Sequence, residues 1–118
     1  MNRRETGKKY ETIAAAYLTE NGYKIEERNF HSRYGEIDII ARKADLLVAC
    51  EVKYRSSTGY GDPLEAVDPR KQKKICQTML YYFVRHGYSA DTPCRFDVIA
   101  IRGEDTVRHI KNAFVFRG

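Results

Sequence analysis

The 118-residue chain contains no apolar run approaching the roughly 20 residues that a membrane-spanning helix needs. Its polar opening, MNRRETGKKYE, also lacks the apolar centre of a secretory signal. Residence in the cytoplasm, away from any membrane, is therefore the expectation. Cysteine is scarce: Cys50, Cys76 and Cys94 are odd in number, far apart and without a CxxC pair. That argues against a disulfide framework or a zinc site and leaves them as small core hydrophobes. His31, His86 and His109 share no ligand spacing and receive no role. No internal repeat, low-complexity tract or second-domain boundary is visible.

What is present is 42% apolar and 31% charged, the balance of one soluble globular domain over residues 1–118. The net charge of +5 favours anionic partners such as nucleic acid, although placement matters more than the total.

The apolar spacing of Tyr10, Ile13, Ala14, Tyr17 and Leu18 predicts a helix over Thr6–Asn21, with Gly22 closing it. Tyr23–Phe30 reads as a first strand and HSRYG as a turn. Ile37, Ile39 and Ala41 alternate with Glu36, Asp38 and Ile40, the period of a strand. Leu46–Val52 is apolar enough for a central strand, and the short RKAD connection makes the two an antiparallel hairpin. Asp68 as N-cap and Pro69 at the first helical position open a second helix. Its buried face is expected to be Ile75, Met79, Tyr82 and Phe83, and Gly87 ends it. Arg95–Ile101 and VRHIKNAFVF supply two more strands, the last at an edge. The order is αβββαββ, an α/β fold, and the strand–helix–strand crossover predicts a parallel pair in a mixed sheet.

The hairpin carries acids where strands disfavour them. Residues two apart on a strand share a face, so Glu36 is expected beside Asp38 and Glu51 beside Lys53. A turn centred on Ala44 and Asp45 sets Asp38 opposite Glu51 and Glu36 opposite Lys53. A slip of two residues preserves one face; a slip of one separates the pairs. Clustered carboxylates repel, more so when partly buried. A hard divalent cation offsets this, since Mg²⁺ takes one or two carboxylates with waters and substrate phosphate. Lys53 could orient or help deprotonate an attacking water, or stabilise charge on phosphoryl oxygens. The alternative is a solvated sheet face with surface ion pairs, and composition alone leaves both open.

The ordered set GKKYE, GEIDIIA, CEVK, GDPLEAVDPRKQ and RFDV resembles the bacterial YraN-like family of PD-(D/E)XK, or restriction-endonuclease-like, nucleases. Departures are small: Cys50 replaces an aliphatic residue, Lys43-Ala44 an Asp-Gly turn, and Ile37 the superfamily proline. The resemblance implies a mixed β-sheet flanked by helices and a Mg²⁺ or Mn²⁺ cofactor. It implies Asp38 and Glu51 as metal-binding carboxylates, with the Val52 carbonyl as a further ligand and Lys53 as the catalytic lysine. Glu11, which periodicity alone leaves as a surface helix residue, matches the acid that the family's first helix contributes, directly to the metal or through a water. Gln72 matches a polar active-site position of the second helix, or is a plain exposed residue. Glu36 serves the metal or pairs with Lys53.

DPRKQKK places Arg70, Lys71, Lys73 and Lys74 at a helix start, whose free N–H groups attract phosphate. With Lys53 and Arg55 they would line a groove for a nucleic-acid backbone; a solvated basic face is the bland alternative. The polar stretch from Tyr54 to Val67 reads as a flap over substrate or a structural loop, ordered by Asp62 and Pro63 beside Gly59 and Gly61. Tyr54 and Tyr60 would stack on bases or pack locally. Asp97 with Arg95 reads as a structural pairing. The expectation is a metal-dependent DNA endonuclease acting on duplex or branched DNA in recombination or repair. The related Holliday junction resolvases are homodimers, so a dimer is expected with that role. RNA stays open as substrate, and a non-catalytic nucleic-acid-binding module is the alternative.

Overall fold

Helix α1 (Arg3–Glu20) is followed by strands β1 (Lys24–Ser32), β2 (Gly35–Lys43) and β3 (Leu46–Arg55), then α2 (Pro69–His86), β4 (Cys94–Arg102) and β5 (Thr106–Phe114). This is a computed structural model that describes residues 3–55, 67–103 and 106–116. The anticipated flap with Tyr60 falls almost wholly outside the described residues. Among the described residues no helix is long and apolar enough to cross a membrane.

The five strands form one sheet in sequence order, with β1 and β5 at its edges. Only β3 and β4 run parallel, because α2 carries the chain back across the sheet between them. The expected order and mixed sheet are thus observed. Helix α2 starts where its cap chemistry directs: Asp68 accepts the Lys71 N–H at 2.9 Å and Pro69 occupies the first turn. Gly87 closes it with φ 70, a conformation that costs glycine little.

The helices cover opposite faces of the sheet. Ile75, Met79, Tyr82 and Phe83 of α2 pack on Ile37, Ile40, Leu47, Ala49, Phe96 and Val98. Tyr10, Ala14 and Leu18 of α1 pack on Ile39, Ala41, Val48, Cys50, Ile99 and Ile101. All three cysteines are free thiols, and burial pushes those of Cys50 and Cys94 upward, as inert packing residues require.

Two readings of the sequence need correction. HSRYG is not a five-residue turn. His31 and Ser32 remain in β1, paired with Glu36 and Gly35, and only Arg33 and Tyr34 turn. Ile37, Ile39 and Ala41 do not share a face: Ile37 enters the α2 core while Ile39 and Ala41 enter the α1 core. The alternation breaks at Asp38, opposite Asn29, whose φ is 53. The pairing steps from Arg28↔Ile39 to Phe30↔Ile37 around these two residues. A positive φ within a strand redirects the pleat, so a strict period of two fails there.

Candidate active site

The break in β2 determines what Asp38 does. The β2–β3 ladder runs from Lys43↔Leu46 to Ile39↔Cys50, the register expected for a turn at Ala44 and Asp45. One step further the Val52 N–H donates to Asp38 Oδ2 at 2.8 Å. A side chain thus takes over from backbone pairing where β2 leaves β3. The strand β3 continues regularly beside β4, so Glu51 and Lys53 stay on one face, toward α2.

These groups line a cavity of about 310 Å³, together with Gly35, Glu36, Val52, Lys71, Lys74 and Ile75. Gly35 has φ 156, and an added Cβ there would meet Lys74 and Thr78 of α2. Glycine suits this position for its φ, which L side chains rarely adopt, since those contacts, at 3.6 and 3.8 Å, would be ordinary ones.

Glu51 is buried, 5% exposed, and two ammonium groups reach its Oε2: Lys71 at 3.2 Å and Lys53 at 3.5 Å. Burial, with the Glu51 charge adding to it, pushes the Asp38 carboxyl up to about 7, against the Val52 hydrogen bond. Burial and the hydrogen bond with Lys71 pull Lys53 below its ordinary value. Burial also acts to lower Lys71, yet the hydrogen bond with Lys53 and the Glu51 charge hold it above its own ordinary value. The site is an electrostatically strained cluster: two carboxylates with too little solvent and two lysines crowding one oxygen.

Glu11 is buried, contrary to the plain reading of its helix. Its Oε1 accepts Arg28 Nε and Asn29 Nδ2, both at 3.0 Å, and its charge contributes to the shift of Asp38. The spacing Glu11, Ala14, Leu18 is itself a helical stripe, a signal that could have placed Glu11 on the sheet side. Gln72 donates to the Val67 carbonyl at 2.8 Å and does not line the cavity. Glu36 is half exposed and pairs with His31 at 3.5 Å, not with Lys53. Among the basic residues, Lys71 and Lys74 line the cavity, whereas Arg70 and Lys73 are exposed outside it. The side chain of Arg55 lies outside the described residues.

Sequence reading grouped Lys71 with Arg70, Lys73 and Lys74 as a basic run beside the carboxylates and gave it no role of its own. It is not simply part of a basic face, because Ile75, four residues later, points into the core and so turns Lys71 toward the sheet. Tyr54 stacks on Tyr10 of α1 at 3.8 Å, so it packs locally. Asp97 is buried and accepts Arg95 through both oxygens at 2.8 Å, His109 at 2.7 Å and the Asn112 N–H at 2.9 Å. It lies on the α1 face, a structural hub as its pairing suggested, and His109 gains there a partner that no spacing predicted.

The donor set fits a hard cation. Asp38, Glu51 and the Val52 carbonyl offer only oxygen, and the two carboxylates lie in one cavity with little solvent to separate their charges. Among the described residues no three His, Cys, Asp or Glu converge as a ready metal cage. The set thus suits a cation that retains waters, as Mg²⁺ does, with Glu11 behind it on Arg28 and Asn29.

The family model described as "Uncharacterised protein family UPF0102" matches residues 10–101, which include every residue of this cluster. A UPF0102 protein of Lachnoclostridium phytofermentans is 47% identical over 114 residues, 97% of this chain and 96% of the relative. One of Persephonella marina is 45% identical over 108 residues, 92% of this chain and 91% of the relative. One of Colwellia psychrerythraea is 42% identical over 114 residues, 93% of this chain and 88% of the relative. With a family match across most of its length and relatives this similar from end to end, the chain belongs to the UPF0102 family.

Proposed function

We propose that this chain is a Mg²⁺- or Mn²⁺-dependent DNA endonuclease of the restriction-endonuclease-like superfamily. The observation that carries the reading is the pairing of Asp38 and Glu51, both largely withdrawn from solvent, beside Lys53 in one polar cavity. A structural ion pair has no need of a second buried carboxylate that raises its own cost.

Phosphodiester hydrolysis needs up to about 23 kcal/mol of barrier lowering, and positioning supplies roughly 7–11 kcal/mol of it. A divalent cation bound here would supply Lewis-acid activation of water and charge stabilisation on phosphoryl oxygens. The chain's own residues do the rest. Asp38 is oriented by the Val52 N–H, and Glu51 is held on the central strand; both would hold the cation, with the Val52 carbonyl. Glu11 would act on it through water. Lys53, crowded by Lys71 and mostly withdrawn from solvent, is suited to orient the attacking water or to meet charge on the phosphate. Lys74, Arg70 and Lys73 with the amino end of α2 would hold the backbone of the nucleic acid without reading its sequence.

Branched DNA of recombination or repair is the first substrate class. Paired cuts on such a substrate require two sites, hence a homodimer, and the place of action is the cytoplasm. The test incubates the chain with duplex, flap and four-way-junction DNA and with RNA, in Mg²⁺, Mn²⁺ or EDTA, beside Asp38→Ala. Metal-dependent cutting that Asp38→Ala loses is the expected result. Binding without cutting in every condition would point to a non-catalytic module instead.

A further inference from the structure

Lys71 differs from the other lysines of α2 by what it touches. Its Nζ lies 3.2 Å from Glu51 Oε2, closer than Lys53 at 3.5 Å, so two ammonium groups converge on one oxygen. The Lys53 side chain sits on a central strand and is 13% exposed; that of Lys71 hangs from a first helical turn and is 41% exposed. The backbone under Lys71 is fixed by its N–H on Asp68. Only its flexible four-carbon stem has to swing for the charge to leave.

Positive charge at Glu51 Oε2 relieves repulsion between that buried carboxylate and the half-buried Asp38. Glu51 is also one of the carboxylates that would hold a divalent cation, with Asp38. A divalent cation adds to the two ammonium groups already there, and like charges so close repel strongly in a poorly solvated site, so the more mobile ammonium is the one to yield. Lys74, one turn along α2, lines the same cavity, so Lys71 is not its only lysine from that helix.

We propose that Lys71 is the resident counter-cation of this site: it neutralises Glu51 until a divalent cation displaces it, and then contacts a phosphate of the nucleic acid. The inference rests on the metal-dependent reading above and adds a coupling to it. Cation and nucleic acid bind cooperatively, because each takes one half of the Glu51–Lys71 pair. The coupling is reciprocal by thermodynamic linkage.

Titration calorimetry of the full chain with Ca²⁺, an oxygen-seeking probe, tests it. Lys71→Met should bind Ca²⁺ about tenfold tighter than the unsubstituted chain, and Lys71→Arg should match the unsubstituted chain. Lys111→Met, an exposed position on β5, should change nothing and controls for net charge. Duplex DNA should bind the unsubstituted chain more tightly with Ca²⁺, with a salt dependence steeper by about one phosphate contact, and Lys71→Met should lose both effects. In the unsubstituted chain, acylation of Lys71 read by mass spectrometry should rise several-fold on adding Ca²⁺, which decides the matter even where Lys71→Met does not fold. Equal Ca²⁺ affinity in the unsubstituted chain and Lys71→Met, or acylation that Ca²⁺ leaves unchanged, overturns the inference and leaves the metal site standing. Absence of Ca²⁺ binding to either chain overturns both.

Discussion

The Val52 N–H donates to the Asp38 carboxylate at 2.8 Å across the splayed end of the β2–β3 hairpin. That single bond aims an acid of one strand at the Glu51 of the next. It also separates the structural part of Asp38, which is acceptance of an N–H, from its charge.

Asp38→Asn should therefore keep the fold. Its amide oxygen can accept the same N–H, and the repulsion with Glu51 disappears. Melting temperature without metal should stay level or rise, while calorimetric Ca²⁺ binding and cleavage are lost. A large drop in melting temperature would show that the carboxylate charge itself is structural.

Lys53→Met should separate binding from chemistry. Its stem packs beside Glu51 without the ammonium, and Lys71 remains to neutralise that acid. Cleavage should fall by about 10²-fold or more, with Ca²⁺ affinity retained or raised, since one ammonium beside Glu51 is gone. Equal losses in rate and affinity would assign Lys53 to cation binding or folding instead.

Asp97→Ala should cost about 3–5 kcal/mol of stability, because it strands Arg95 and His109 beside a buried void. Urea unfolding reads this directly. The cluster lies on the α1 face, so cleavage per folded molecule should be unchanged.

Glu26→Gln tests a pH dependence. Burial alone would raise the Glu26 carboxyl, but hydrogen bonds from Tyr82, Arg42 and Tyr88 outweigh it and hold the group below its usual value of 4.5. A folded value that is depressed contributes stability above the unfolded value, and that contribution is lost as pH falls through the folded one. The unsubstituted chain should exceed Glu26→Gln by about 1–3 kcal/mol at neutral pH, with the gap closing below about pH 4. Thermal unfolding of both chains across pH 3–8 measures it; a gap that persists at low pH would remove Glu26's charge from the account.

Much of this protein is legible in its sequence because it is local. The α2 boundaries follow from Asp68, Pro69 and Gly87, each acting on backbone within one turn. The hairpin itself follows from the short RKAD connection, although without an Asn-Gly or Asp-Gly turn its register is left to the structure, which sets it at Ala44 and Asp45. Glu51 and Lys53 share a face because β3 is regular, and the parallel β4 follows from an intervening helix.

What tertiary structure decided is where that regularity ends. The positive φ of Asn29 and the break at Asp38 are long-range consequences of β1 pairing with β2, and period-two reasoning cannot see them. Glu11 is buried by packing on β1, which supplies the Arg28 and Asn29 donors. Glu36 turns to His31 because the same pairing sets those two side by side. Lys71 reaches Glu51 only because α2 packs on the sheet over β2, next to β3, a juxtaposition of residues 20 apart in sequence. Residue types and spacing selected the acids and the lysine; the packing of two helices on opposite faces of one sheet determined which charges meet.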